Sequence, residues 1–176
     1  MNKELFFLKL FNVNSEIFLG GLLKTDLLGI PVDFKYVEPI KPTKLQKILY
    51  GKSLEHFINF ELISKNLLNE VSENSLVFVD DLLIFEFHEK ENVVFLSLFK
   101  DKVELPDKDQ RIIEFKKNEN EYLVTLGNLN YRLKFKAQPS EELQNLIIEA
   151  TENFELLEPF SRISEALEHI WQNSSK

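Results

Sequence analysis

The chain has 176 residues, a formal net charge of −8 and no cysteine. These facts exclude disulfides, thiol chemistry and cysteine-held metal sites, and argue against nucleic-acid binding by the surface as a whole. The length fits a single domain, residues 1–176, and 44% apolar residues with sixteen phenylalanines call for an aromatic-rich core.

Residues 3–12 read as a β-strand. Lys9 interrupts their apolar run too early for a secretory leader, and no stretch approaches eighteen uncharged apolar residues. A cytoplasmic setting without a membrane partner is therefore the expectation. Residues 16–25 read as a second strand, broken by Gly20-Gly21, where a bulge or a close approach by another backbone or a ligand is expected. Asp26-Leu27-Leu28-Gly29 is a turn. From Pro31 to Glu38 the residues alternate, Val32, Phe34 and Tyr36 on one side and Asp33 and Lys35 on the other, which predicts the second arm of a hairpin. Pro39 and Pro42 are expected to end it.

Thr43 and Gln46 have the spacing of a capping box. Apolar residues then recur at helical intervals to Val71, beginning with Leu45, Ile48 and Leu49, so a central helical segment over about 43–71 is predicted. Gly51 should divide it, with Ser53 capping the second helix. Leu76–Val79 reads as a fully buried strand. Residues 82–88 and 93–99 read as two strands around the polar turn Glu89–Asn92. Val103–Gln110 reads as a loop. Residues 112–116, 122–126 and 131–135 form a predicted meander, with Gly127-Asn128 as a tight turn. Ser140 caps a first C-terminal helix, and a second runs from about Glu158 to Gln172, so C-terminal helices cover about 140–172. The fold class expected is α+β, mainly antiparallel sheet with helices segregated in sequence.

The only strongly basic stretch runs from Lys35 to Lys52. It carries Lys35, Lys41, Lys44, Lys47 and Lys52 against Glu38, a local charge of +4 that leaves −12 on the rest of the chain. Free N–H groups at a helix start attract anions, and nearby lysines strengthen this. Lys35, Lys41, Thr43, Lys44, Lys47 and Lys52, with Gly20 and Gly21, are therefore the candidate anion- or partner-binding residues. A solvated face opposite Leu45, Ile48 and Leu49 is the plainer reading.

Lys116, Lys117, Arg132, Lys134 and Lys136 form a second basic set, expected to guard sheet edges against mispairing. Asp80, Asp81, Glu86 and His88 are the most enzyme-like cluster, since Glu86 and His88 would share a strand face. His56 and His169 have no metal-binding partner at helical spacing, and no phosphate-loop, dinucleotide or zinc-protease motif is present. No catalytic residue, metal or cofactor is assigned.

Two resemblances bear on function. Pro106-Asp107 followed by Glu114-Phe115-Lys116 resembles the P-D…E-x-K pattern of restriction-endonuclease-like metal-dependent nucleases. It implies that Asp107 and Glu114 hold Mg²⁺ and that Lys116 assists the attacking water. The blocks Gly20–Asp26, Gly29–Pro39 and Lys41–Gly51 resemble a segment of a conserved family of uncharacterised bacterial proteins, which implies no activity.

The expected function is a non-enzymatic binding or protein-interaction module, with a protein partner or self-association through residues 20–52. A nucleic-acid- or nucleotide-binding protein using 35–52 is the alternative, and a metal-dependent hydrolase or nuclease the second alternative.

Overall fold

The computed structural model describes residues 3–101, 111–116, 119–126 and 129–174. Eight strands form one sheet in the order β3-β2-β1-β4-β5-β8-β7-β6. They are β1 (Leu5–Val13), β2 (Ile17–Thr25), β3 (Pro31–Ile40), β4 (Leu76–Val79), β5 (Val93–Phe99), β6 (Ile112–Lys116), β7 (Glu121–Leu126) and β8 (Leu129–Lys134). The central pairs β1–β4 and β4–β5 are parallel and the other five are antiparallel. The fold is α+β, as its composition and periodicity predict.

Helices cover both faces. Between β3 and β4 lie α1 (Lys44–Tyr50), a 3₁₀ turn (Gly51–Ser53), α2 (Leu54–His56), a π-helical stretch (Phe57–Ser64) and α3 (Lys65–Leu68). α4 (Leu82–Phe87) joins β4 to β5, and α5 (Glu141–Asn153) and α6 (Glu158–Ser174) close the chain. One core packs Phe7, Leu19, Phe78, Tyr131 and Leu133 against Ile147, Phe160, Ile163 and Leu167 of α5 and α6. The other packs Leu8, Phe18, Val77 and Val79 against Ile58, Phe60, Ile63 and Leu67 of the central helices and Ile84 of α4. β4 serves both: all four of its residues are at most 2% exposed, which explains its uninterrupted apolar sequence. The phenylalanines named here are core residues rather than a ligand pocket.

Several expectations need correction. Residues 82–87 are helical, because the Asp81 carboxylate accepts hydrogen bonds from the Leu83 and Ile84 N–H groups, at 2.8 and 3.2 Å, and so starts a helix. β5 therefore pairs in parallel with β4 instead of closing a hairpin on 82–88. β3 continues through Pro39 to Ile40. Proline is tolerated there because β3 is an edge strand and its register against β2 shifts between Phe18 and Gly20, opposite Pro39. Gly51 does break the helix, at φ +54°, but Ser53 donates to Tyr50 O instead of capping α2. Leu45, Ile48 and Leu49 are not core residues; no residue of α1 is buried. β8 is an interior strand, so Arg132 and Lys134 guard no edge. Arg132 instead pairs with Glu121, and Lys136 lies over the Phe85 ring, 3.9 Å from its centre. The Val103–Gln110 loop and the Gly127-Asn128 turn lie outside the described residues, as does Lys117.

Candidate functional site

β1, β3, β4 and β5 all point the same way, so their C-terminal ends meet along one rim of the sheet. β1 and β4 are adjacent and parallel, yet the chain leaves β1 toward β2 and leaves β4 toward β5, in opposite directions along the sheet. Such a divergence opens a crevice, and in sheets of this kind ligands bind at the strand ends beside it.

Two charged groups lie where β4 ends against the middle of β1. Leu8 pairs with Val79, which sets Lys9 beside Asp80, the residue just past β4, and the two form a partly buried ion pair. They line a cleft of about 390 Å³ whose other wall is the first half of α6, with Phe160, Ser161, Ser164 and Glu165. The cleft holds one ammonium, two carboxylates and two hydroxyls against an aromatic side. Along the same rim a second cleft of about 410 Å³ is lined by Ile17, Glu38, Lys41 and Trp171. A third concavity, of about 470 Å³, lies by the N-terminal ends of β4 and β5 between Glu73, Glu89 and Glu91. Its carboxylates do not converge: among the described residues no three His, Cys, Asp or Glu side chains form a metal-ligand group.

The residues singled out from the sequence are scattered across this frame. Lys35 pairs with Glu70, and Lys47 Nζ lies 3.2 Å from Glu16. Lys41 borders the Trp171 cleft, while Lys44 and Lys52 have no carboxylate partner among the described residues. Thr43 closes its capping box, with its hydroxyl 3.2 Å from Gln46 N and its own N–H donating to Gln46 Oε1 at 2.8 Å. The box satisfies two N–H groups at the helix start, those of Thr43 and Gln46. Gly20 and Gly21 are buried and admit helix side chains, which removes them from any surface site.

The enzyme-like cluster also separates. Asp81 is a cap, Glu86 is exposed and His88 is buried, with Nε2 2.8 Å from Ser64 Oγ. Burial, then the nearby Lys136 and Lys90, push the His88 imidazole down to about 4, so it is neutral at pH 7. Of the P-D…E-x-K residues, Asp107 lies outside the described residues. Glu114 and Lys116 sit on β6, the far edge strand, and Lys116 pairs with Glu119 at 3.6 Å.

Sequence reasoning passed over Lys9, Ser161, Ser164 and Glu165. Lys9 did leave a signal: a charge in the middle of a strand with apolar residues on both faces needs a partner. The α6 residues leave none, because polar positions on an amphipathic helix look alike until the helix is docked.

No protein-family model and no curated protein matches the chain. Solved structures do. A Ciona intestinalis endonuclease V in complex with a 24mer DNA containing an inosine followed by a ribo-adenosine is 13% identical; the match covers 96% of this chain and 87% of that one, with a TM-score of 0.49. Human ENDOV is 10% identical over 98% of this chain and 86% of its own, with a TM-score of 0.52. A Marinitoga piezophila Argonaute with a 5′ OH guide RNA matches over 84% of this chain and 24% of its own, at 15% identity and a TM-score of 0.38. The likeness to human ENDOV establishes a shared fold.

Proposed function

We propose that this chain acts on nucleic acid, as a protein of nuclease-type fold that takes the phosphodiester backbone into the cleft where β4 ends beside the middle of β1. One observation carries the reading: Lys9 and Asp80 stand side by side where the sheet's connections diverge, facing an open cleft, on a fold shared with human ENDOV, an endonuclease V. A non-enzymatic module as the whole function loses ground, because Gly20 and Gly21 are buried and the fold is shared with human ENDOV. Lys41, beside Glu38 and the half-buried Trp171, places a second ammonium along the same rim. The acidic remainder of the surface limits contact to this rim.

Within the cleft, Lys9 offers a phosphate oxygen a positive charge, and Ser161 and Ser164 offer hydroxyl donors. Asp80 and Glu165 are the groups able to accept a proton from an attacking water. Asp80 is already neutralised by the Lys9 ammonium, and among the described residues no three His, Cys, Asp or Glu side chains form a metal-ligand group.

The test is fluorescence anisotropy with labelled single- and double-stranded DNA and RNA oligonucleotides across a salt series, with cleavage followed on gels in parallel. Binding should weaken steeply with salt, by about 0.9 in the log–log slope for each phosphate contacted on duplex DNA. Lys9→Ala should weaken it. Asp80→Asn should preserve or strengthen binding, since it removes a negative charge from the cleft, while abolishing any cleavage. No binding at low salt to any of the four probes would end the reading.

A further inference from the structure

α1 presents an apolar face that none of the described residues covers. Leu45, Ile48 and Leu49, at i, i+3 and i+4, share one side of the helix and are 63%, 67% and 72% exposed. A two-turn helix normally persists because its apolar stripe is buried. Here α1 is held from its ends, by the Thr43–Gln46 capping box, by the turn at Gly51 and by Tyr50 stacked on Phe57 at 5.0 Å. The chain thus holds three large aliphatic side chains outward on a fixed frame, which is how protein-docking helices carry their anchors.

The charge around the patch identifies its occupant. α1 contains no acidic residue; Lys44 precedes the patch, Lys52 lies beyond it, and neither has a carboxylate partner among the described residues. From this geometry we infer that α1 is the docking element for an acidic, amphipathic helix of a partner protein, which lays its apolar stripe on Leu45, Ile48 and Leu49 and its carboxylates against Lys44 and Lys52. A second copy of this chain is the poorer fit, because like faces would set Lys44 and Lys52 of one copy against the same lysines of the other. A nucleic-acid backbone satisfies the lysines but leaves the aliphatic face wet. The docking face lies outside the Lys9–Asp80 cleft, so the two sites fail or stand separately.

The experiment uses the full chain and four probes. They are a synthetic helical peptide with leucines on one face and glutamates on the other, the same peptide with lysine for each glutamate, vesicles of phosphatidylserine and phosphatidylcholine, and the protein alone in sedimentation velocity. The acidic peptide should bind. Lys44→Glu and Leu49→Asn should each weaken it at least tenfold, with thermal melts unchanged because both side chains are exposed. The basic peptide should not bind. The inference is overturned if the acidic peptide fails to bind, if it binds both variants as well as the unaltered chain, if vesicles bind more tightly through the same residues, or if the chain dimerises in a way that Leu49→Asn abolishes.

Discussion

Gly20 and Gly21 are consecutive in β2 and open the two faces of the sheet to opposite helices. Ile63 of the π-helical stretch occupies the space a Gly20 side chain would need, and Ile163 of α6 comes within 2.9 Å of where a Gly21 side chain would begin. The glycine pair thins the sheet so that a helix can pack closely on each side of one strand. Gly20→Ala should therefore be strongly destabilising, by about 1–3 kcal/mol or more. The Ile63 methyl it meets is Cγ2, fixed next to the backbone of a fully buried β-branched residue that cannot swing aside. Gly21→Ala meets Ile163 Cγ2 at 2.9 Å, a less severe approach than that of Ile63 Cγ2 at Gly20, and the ring of half-buried Phe34, which can shift toward solvent, so its cost should be smaller. Urea denaturation of the two variants checks the order. Equal stabilities would mean that the two helices do not pack as described.

Asp81 tests why α4 is a helix. The run Leu82-Leu83-Ile84-Phe85-Glu86-Phe87 has no helical amphipathicity of its own and is rich in strand formers. Its helical state rests on the Asp81 cap and on burial of Ile84 and Phe85. Asp81→Ala should cost about 1 kcal/mol. Asp81→Asn should retain most of the stability, because the amide oxygen still accepts from the Leu83 and Ile84 N–H groups. Thermal melts of the pair of variants separate the cap from a charge effect.

The same six residues show what the sequence hides. Local chemistry was legible wherever one side chain decides: the Thr43 box, the Gly51 break, the Ser140 cap and the Gly29 turn at φ +76° all form as their residues demand. Asp81 belongs to that class, but an acid after a buried strand serves a turn as readily as a cap. Leu45, Ile48 and Leu49 mark a limit of another kind: periodicity places them on one face but cannot say whether that face meets the core. Lys9 and Asp80 mark a third. Seventy-one positions separate them, and only the parallel register of β1 and β4 makes them neighbours. Nothing local encodes that register.

Among the described residues, Arg132 and Glu121 form the most buried ion pair. Glu121 is 1% exposed and its carboxylate takes both Arg132 Nε, at 3.1 Å, and Nη2. Burial raises the Glu121 carboxyl, but the hydrogen bonds and charge of Arg132 outweigh it and hold the group below the usual glutamate range. Arg132→Leu should thus cost about 3–5 kcal/mol, because it strands a buried carboxylate. Adding Glu121→Leu should restore much of that loss. A double-mutant cycle in denaturant measures the coupling. A double variant no more stable than Arg132→Leu alone would place the cost in lost packing around the arginine stem.

His88 sets the pH dependence. The residue is 8% exposed, bonded to Ser64 and approached by Lys136 and Lys90, and its ring is neutral in the folded chain down to about pH 4. In the unfolded chain it takes a proton near pH 6.5. Below that value the unfolded state binds a proton that the folded state refuses, so stability falls as pH drops from about 6.5 toward 4 and is fully present above it. The span between the two values corresponds to a loss of about 3 kcal/mol at most. Carboxylates complicate the lower part of that range, so the decisive interval is pH 6.5 to 5, where an unperturbed histidine titrates and an unperturbed glutamate barely begins. His88→Gln keeps a group able to bond Ser64 and carries no titrating ring. Its stability should be flat across that interval, while the unaltered chain loses about 1.4 kcal/mol for each pH unit once the unfolded imidazole is charged. Denaturation midpoints at pH 7, 6 and 5 distinguish the two. Parallel slopes would show that His88 titrates normally in the folded chain and that its seat against Ser64 is open to water.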